Sequence, residues 1–189
     1  AHPADAKCYV DLLYNGDLFW ERFASVAEPL RDRLVLSTHW GCDTVEGHCV
    51  NIRDDAQCQV AFDSTLARIG GYTDIGMLMM IDHINLWEKW GKHALDRLLA
   101  YKAAGKVGCI GLSSHAPDVA LAILQTGAVD VLMYPVNFTT RSMARNQELY
   151  AACQEMGVGL VAMKPYAGGQ LLSEQERTRL WYVHTAGSM

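Results

Sequence analysis

Polar side chains stand where six apolar, strand-like runs of the sequence end. They are Asp11 with Tyr14, His39, Asp82, Ser113-Ser114-His115, Asn137, and Lys164 with Tyr166. Carboxylate, phenol, imidazole and ammonium groups transfer protons or hold charged ligands, whereas hydroxyl and amide groups orient a ligand by hydrogen bonds. Because the carboxyl ends of parallel strands meet at one end of a barrel, we expect these residues to form one site.

Asp11, Tyr14 and His39 are the candidate catalytic residues. An imidazole changes its charge near neutral pH, so His39 could donate a proton itself or could tune the phenol of Tyr14. Asp11 would orient these two groups. The structural alternative is that Asp11 is a turn residue, Tyr14 a core residue and His39 a buried, hydrogen-bonded histidine.

The later strand ends offer groups for binding a ligand. Residues 113–115 precede a predicted helix N-terminus, which attracts anions, although these residues could simply cap the helix. Asn137 ends another strand-like run. Lys164, with Tyr166 close behind it, could contact a phosphate or a substrate, or its stem could lie along the rim of the fold.

A substrate pocket is predicted beside these groups. Its candidate residues are Trp40, Met79, His115 and Tyr166. Trp40 directly follows His39. Met79 neither donates a proton nor carries a charge, so it serves packing or forms an apolar wall. Residues 41–51 are predicted to be a long strand-to-helix loop on this face, where such loops carry substrate contacts.

Histidines and cysteines between positions 39 and 58 raise the question of a metal site. Zinc sites favour closely spaced pairs of cysteine and histidine. Six residues separate Cys42 from Cys49, and the adjacent His48 and Cys49 would point apart. We therefore predict no metal site.

Short apolar runs alternate with longer helical patterns along the chain. The predicted strands are Tyr9–Leu13, Leu34–Thr38, Asp74–Met80, Val107–Leu112, Val129–Val136 and Val158–Met163. The predicted helices cover residues 17–31, 54–69, 86–104, 117–126, 144–156 and 173–183. Continuous apolar strands are buried on both faces, which is typical of a parallel sheet, and the alternation of strands with helices predicts an α/β fold.

Two architectures fit this series, an open doubly wound sheet and a (β/α)8 barrel. A dinucleotide-binding open sheet would carry G-x-G-x-x-G after its first strand, where this chain has Tyr14-Asn15-Gly16-Asp17. Polar residues at the ends of most strands favour the barrel. A complete barrel needs about 250 residues, so we expect residues 1–189 to form a single barrel domain with about six of the eight strand–helix units, incomplete at both ends.

The amino-acid composition and net charge argue against some classes of function. Half of the 189 residues are apolar, 20% are charged and the net charge is −5. This is a globular composition, and its mild acidity argues against nucleic acid or an anionic membrane as a partner. No apolar run is long enough to cross a membrane. The six cysteines form no C-x-x-C pair, and we expect a reducing, cytoplasmic location.

Four segments of the sequence resemble the aldo-keto reductase family. Residues 62–75 resemble its helix into the fourth strand, and residues 105–115 its fifth strand with the serine that follows. Residues 158–166 resemble its seventh strand, and residues 11–14 its second. The resemblance extends over roughly residues 8 to 172 and is greatest to the bacterial and archaeal branch that carries a C-terminal iron–sulfur segment.

The resemblance implies a barrel enzyme that reduces carbonyls with NADPH, passing a hydride from the nicotinamide to carbon and a proton from a tyrosine to oxygen. Asp11 matches the family's aspartate, and Tyr14 stands three residues after it where the family spacing is five. His39 stands where the family has lysine. Met79 stands where the family has histidine.

The cofactor-binding residues implied by the resemblance are Ser113, Ser114, Asn137 and Lys164. Ser113 matches the serine that contacts the nicotinamide, Ser114 replaces the usual asparagine, and Asn137 is kept. Met163 replaces the aromatic residue that usually stacks on the nicotinamide, and Met133 replaces a common glutamine.

The leading hypothesis is NADP(H)-dependent oxidoreduction of a small carbonyl or alcohol by an altered tetrad. One alternative is a catalytically inactive barrel that serves as a binding or regulatory module. Another is the barrel part of a longer iron–sulfur oxidoreductase. Six parallel strands leave two open edges, so we expect an oligomer or a further chain segment to cover them.

Overall fold

Six parallel strands form one curled sheet, a half-barrel. A computed structural model describes residues 7–13, 17–45 and 48–173. In the order in which they lie side by side, its strands are β1 Cys8–Asp11, β2 Leu34–Trp40, β5 Thr73–Leu78, β6 Val107–Ser113, β7 Val131–Pro135 and β8 Gly159–Met163. All six predicted strands are therefore confirmed, with ends that differ by one or two residues.

Helices connect successive strands of the sheet, as the α/β prediction requires. The α-helices are α1 Asp17–Ala27, α2 Asp55–Arg68, α3 Ile84–Leu86, α4 Lys92–Ala103, α5 Pro117–Leu124, α6 Phe138–Arg141 and α7 Ala144–Met156. Short 3-10 turns cover Arg31–Arg33 and Ala167–Gly169. The helix predicted over residues 173–183 lies, apart from its first residue, outside the described residues.

Local signals set several helix ends. The Asp54 carboxylate accepts a hydrogen bond from the Gln57 backbone N–H at the start of α2. Pro117 occupies the first turn of α5, where its missing N–H has no helical partner anyway. Gly157 ends α7 in the left-handed conformation, with φ of 69°, which glycine adopts without a steric cost.

The helix predicted over residues 86–104 is interrupted at its start. A π-helical turn, Trp87–Gly91, separates α3 from α4. A Cβ on Gly91 would lie 2.6 Å from the Trp87 ring, so the indole packs directly on the glycine. The wider turn lets Trp87 enter the core while Trp90 lies under the Arg53 guanidinium, 4.3 Å from the ring centroid.

A hairpin replaces the loop predicted for residues 41–51. Strands β3 (Cys42–Val45) and β4 (His48–Asn51) pair antiparallel and form a separate two-stranded sheet. Exposure alternates along these strands, since Cys42, Thr44 and Cys49 are less exposed than Asp43, Val45 and His48. That pattern is too brief to predict a hairpin without its packing partners.

The main sheet has an apolar core on each face. The larger core lies between the sheet and the helices; its fully buried members include Phe62, Leu78, Leu98 and Leu112. The inner face carries Ile75, Met77 and Met133 of β5 and β7. Residues of all four remaining strands, β1, β2, β6 and β8, pack against them. Gly111 makes room here, because a Cβ on it would lie 2.5 Å from the Met77 sulfur.

Two aspartates tie neighbouring strands together near their amino ends. Asp74 Oδ2 accepts hydrogen bonds from the Leu36 N–H and from Arg31 Nη2, each at 2.8 Å. Asp130 Oδ2 accepts from the Ile110 N–H at 2.8 Å and from Lys102 Nζ at 2.9 Å. Each carboxylate thus binds one backbone N–H and one cation.

The outer strands of the sheet keep open edges within the described part of the chain. There, β1 pairs only with β2, and β8 only with β7. None of the described helices combines the length and the apolar character needed to cross a membrane.

Candidate functional site

Asp11 and His39 meet at the carboxyl ends of the first two strands of the sheet. His39 Nε2 lies 3.0 Å from Asp11 Oδ1. The parallel register places Asp11 beside Ser37, two residues before His39. Because side chains alternate between the two faces of a strand, Asp11, Ser37 and His39 all point to the inner face.

The other ring nitrogen of His39 is buried and unsatisfied. The side chain of His39 is only 2% exposed, and Nδ1 has no hydrogen-bond partner among the described residues. A buried polar atom without a partner is costly, so this nitrogen is available to a group that arrives beside it. Tyr14, the predicted companion of His39, lies outside the described residues.

Tyr9 lies two residues before Asp11 on β1 and points to the same inner face. The hydroxyls of Tyr9 and Ser37 are 2.7 Å apart. Burial and the nearby Asp11 carboxylate raise the pKa of Tyr9. This phenol therefore stays neutral and is a poor proton donor, although it stands only two residues before Asp11.

Asp82, His115 and Lys164 form a second hydrogen-bonded chain at the same end of the sheet. His115 Nδ1 lies 3.0 Å from Asp82 Oδ2, and Lys164 Nζ lies 2.8 Å from His115 Nε2. With Nδ1–H donated to the carboxylate, Nε2 accepts a hydrogen bond from the ammonium group. The arrangement places the imidazole between the Asp82 carboxylate and the Lys164 amine.

The carboxylate of this chain is held by further donors. Asp82 Oδ1 accepts from the His115 N–H at 2.6 Å and lies 3.2 Å from the hydroxyl of Ser114. Burial alone would raise the pKa of Asp82, but the hydrogen bonds from the His115 side chain and backbone outweigh it and lower that pKa. Asp82 is thus an anion at neutral pH.

Lys164 is fixed by its backbone as well as by His115. Its φ of 53° lies in the left-handed region, which costs a non-glycine residue roughly 1–2 kcal/mol. Asn137 Nδ2 donates to the Lys164 carbonyl at 3.3 Å. The Asn137 Oδ1 accepts from the Thr139 and Thr140 N–H groups and caps α6. Asn137 therefore acts as a bridge between two loops.

The two serines after β6 differ in their surroundings. The Ser114 hydroxyl donates to the Ile81 carbonyl at 2.8 Å, so the backbone of a neighbouring loop already occupies it. Ser113 is buried, and its hydroxyl forms no hydrogen bond within the described part of the chain. Of the two, Ser113 has the hydroxyl that is free to bind a ligand.

The predicted pocket residues do not all come together. Trp40 is 1% exposed and packs on the helix side of the sheet, with ring centroids 5.5 Å from Phe62 and 5.9 Å from Tyr101. Its position corrects the prediction that it lines the pocket, because it follows the inward His39 and must point to the opposite face. Met79 is 2% exposed, in agreement with packing, and Tyr166 is exposed.

Sequence reasoning assigned no role to Asp82 and did not single out Arg53, although both residues organise this end of the fold. Asp82 stands among the strand-end residues, but its partnership with His115 has no local signal. Arg53 donates from Nη1 to the Gly41 carbonyl at 2.9 Å and from Nη2 to the Met79 carbonyl at 3.1 Å. It thereby joins the segments that follow β2 and β5.

The cysteines of the hairpin are in contact with each other. No group of three or more His, Cys, Asp or Glu suited to a metal occurs in the described residues. Cys49 packs against the cluster that contains the buried Cys42, and the interaction between the two thiols raises the pKa of Cys42 and lowers that of Cys49. All six cysteines are free.

Comparison with known proteins places this geometry in context. The model of the aldo/keto reductase family matches residues 17–181. No curated protein matches the chain. A Pseudomonas aeruginosa protein assigned to the aldo-keto reductases superposes with a TM-score of 0.68 at 19% identity, over 92% of this chain and 64% of that one. The holo form of an aldo-keto reductase from Bacillus halodurans gives 0.67 at 24% identity, over 88% and 55%. The chain thus spans less than two thirds of the length of these proteins.

Proposed function

This chain belongs to the aldo/keto reductase family, and on that premise we propose that it is an oxidoreductase that uses NADP(H) on a small carbonyl or alcohol substrate. The observation that carries the proposal is the Asp11–His39 pair at the carboxyl ends of β1 and β2, with His39 Nδ1 buried and unpartnered. A buried donor or acceptor beside a carboxylate is the arrangement that proton transfer to a substrate oxygen requires.

The residues after β6 and β8 fit a nicotinamide cofactor in part. The free hydroxyl of Ser113 would bind its carboxamide. Lys164 uses one of its three N–H donors on His115, and the remaining donors would bind a phosphate oxygen. Ser114 and Asn137 would act by positioning, because their polar atoms already bind Ile81, Lys164 and the start of α6. When bound, the cofactor supplies or accepts the hydride.

Asp11 and His39 would together transfer the proton to the substrate oxygen. The Asp11 carboxylate accepts the Nε2–H of His39 and stabilises the charged imidazolium. His39 Nδ1 then holds the proton that the developing alkoxide takes up, either directly or through the phenol of Tyr14. Buried Met79 limits water at this end of the sheet, which strengthens electrostatic interactions with the substrate oxygen.

A titration of the chain with NADPH tests the proposal. Energy transfer from its five tryptophans to the nicotinamide reports binding. We expect saturable binding that weakens about tenfold in Ser113→Ala, the loss of about one hydrogen bond. Ser25→Ala is the matched control, because among the described residues that exposed hydroxyl bonds only the Arg22 carbonyl. Absence of transfer at about 1 mM NADPH, with circular dichroism showing a folded chain, would contradict the proposal.

A second candidate is a barrel that binds a ligand without hydride transfer. The observation that favours it is the pair of replacements His39 and Met79, where related enzymes are expected to carry lysine and histidine. Saturable NADPH binding with no turnover across a panel of aldehydes and ketones would select this alternative over the reductase.

We propose a cytoplasmic location, supported by the six free cysteines, because thiols persist in reducing compartments. We also propose that the open edges of β1 and β8 are covered by a second copy or by another chain segment.

A further inference from the structure

Four sulfur-bearing side chains lie together where the β3–β4 hairpin covers the carboxyl ends of the sheet. Cys42 and Met79 are buried with Leu13, and Cys49 and Met80 pack against them. The cluster contains two thiols and two thioethers, drawn from the hairpin and from the segment after β5. It is distinct from the Asp82–His115–Lys164 chain.

The hairpin register brings the two thiols together without favouring a bond between them. Cys42 pairs with Asn51 and Cys49 pairs with Thr44, so the two cysteines are diagonal neighbours on one face. Diagonal residues have Cα atoms about 7–8 Å apart, beyond the roughly 4.4–6.8 Å that a disulfide spans. Two thiolates that share one ion need no such approach of the backbone.

Contacts with Arg53 and Asn51 hold the two methionines in place. The Met79 carbonyl accepts from Arg53 Nη2 at 3.1 Å, and Asn51 Nδ2 approaches the Met80 sulfur at 3.9 Å. Met80 has a φ of 49°, in the left-handed region. Consecutive residues of an extended strand would point apart, so the turn at Met80 accounts for the presence of both methionines in one cluster.

We propose that Cys42, Cys49, Met79 and Met80 bind one Cu(I) ion. Thiolates and thioethers are soft ligands that select soft ions such as Cu(I), whereas Mg²⁺ and Ca²⁺ need oxygen ligands. Cu(I) binding releases one proton from each thiol, so two thiolates and one Cu(I) form a complex with one negative charge. The Arg53 guanidinium lies close enough to interact with both thiols. The site goes beyond the proposed reductase activity and does not depend on it.

Titration of the reduced full chain with Cu(I), in competition with a Cu(I)-specific chelator, tests the site. We expect one Cu(I) per chain. Cys42→Ser and Cys49→Ser should each weaken binding by more than the roughly 10–100-fold that an outer contact costs. The Met79→Leu/Met80→Leu double variant keeps the volume of the cluster and should weaken binding about tenfold or more. Cys8→Ser, which removes an exposed thiol outside the cluster, should bind as the unchanged chain does.

Two results would overturn the proposal. One is Cu(I) binding that the cluster variants leave unchanged while Cys8→Ser removes it. The other is an absence of Cu(I) binding by a reduced chain that circular dichroism shows to be folded. Circular dichroism of each variant identifies any that fails to fold, and the volume-conserving double variant then decides the outcome.

Discussion

The imidazole of His39 and the carboxylate of Asp11 connect the ends of two adjacent parallel strands, with 3.0 Å between Nε2 and Oδ1. The contact uses one ring nitrogen and leaves the other buried without a partner among the described residues. Such a pair can hold a proton next to a substrate, because the carboxylate stabilises the charged ring.

Removal of the His39 imidazole should abolish most of the proposed activity. We expect His39→Gln to lower kcat for carbonyl reduction by about 100-fold or more, because general acid catalysis contributes about that much. The Kd for NADPH should change less than about threefold. Stopped-flow and steady-state fluorescence of NADPH measure both quantities. Equal losses of kcat and of NADPH affinity would indicate a structural role instead.

Asp74 should stabilise the sheet measurably. Asp74→Asn weakens acceptance from the Leu36 N–H and removes the ion pair with Arg31, so we expect the free energy of unfolding in urea to fall by about 1–3 kcal/mol. The control is Asp118→Asn, whose side chain is 73% exposed in its pair with Arg145. That change should lower the free energy of unfolding by less than about 1 kcal/mol. Similar losses in both variants would refute this role of Asp74.

The inner face should not accept a methyl group at position 111. The Cβ of an alanine at position 111 would lie 2.5 Å from the sulfur of the fully buried Met77. We therefore expect Gly111→Ala to destabilise the fold by about 1–3 kcal/mol. In Gly159→Ala, on the edge strand β8, the nearest atom to the new Cβ would be 3.6 Å away. In thermal unfolding, the free energy of unfolding of that control should lie within about 1 kcal/mol of that of the unchanged chain.

The cap at Asn137 should be separable from its contact with Lys164. Asn137→Ala removes the acceptor for the first N–H groups of α6, which should cost about 1 kcal/mol in urea unfolding. Asn137→Asp keeps that acceptor and loses only the donor to the Lys164 carbonyl. We expect it to cost less than half as much. If the two variants lose equal stability, the contact with Lys164, and not the cap, is what matters.

Protonation of Asp82 should weaken the folded state in acid. Its folded pKa is lowered from the ordinary value of 3.8, so its contribution to stability is complete above that value and is lost as the pH falls towards the folded pKa. The free energy of unfolding should therefore fall less steeply below about pH 4 in Asp82→Asn than in the unchanged chain. Urea titrations at a series of pH values measure the two slopes, and identical slopes would contradict the prediction.

The fold could be predicted from the sequence because its signals are local. Continuous apolar runs such as residues 107–112 specify buried parallel strands, and local signals such as Pro117 at the start of α5 and Gly157 after α7 mark the helices between them. The pairing of Asp11 with His39 follows from the same reasoning, since both stand at ends of adjacent strands. Even the position of Trp40 could have been anticipated from the alternation that directs His39 inward.

The contacts that depend on distant segments could not be predicted in this way. His115 and Lys164 are 49 residues apart in the chain, and His115 and Asp82 are 33 apart. The sulfur cluster likewise needs the hairpin register and the left-handed backbone at Met80. The sequence by itself determined the order of strands and helices and the strand-end polar residues, because periodicity and capping act within a few residues. Only the tertiary structure decided which of those side chains meet, because that depends on how the curled sheet and its loops pack.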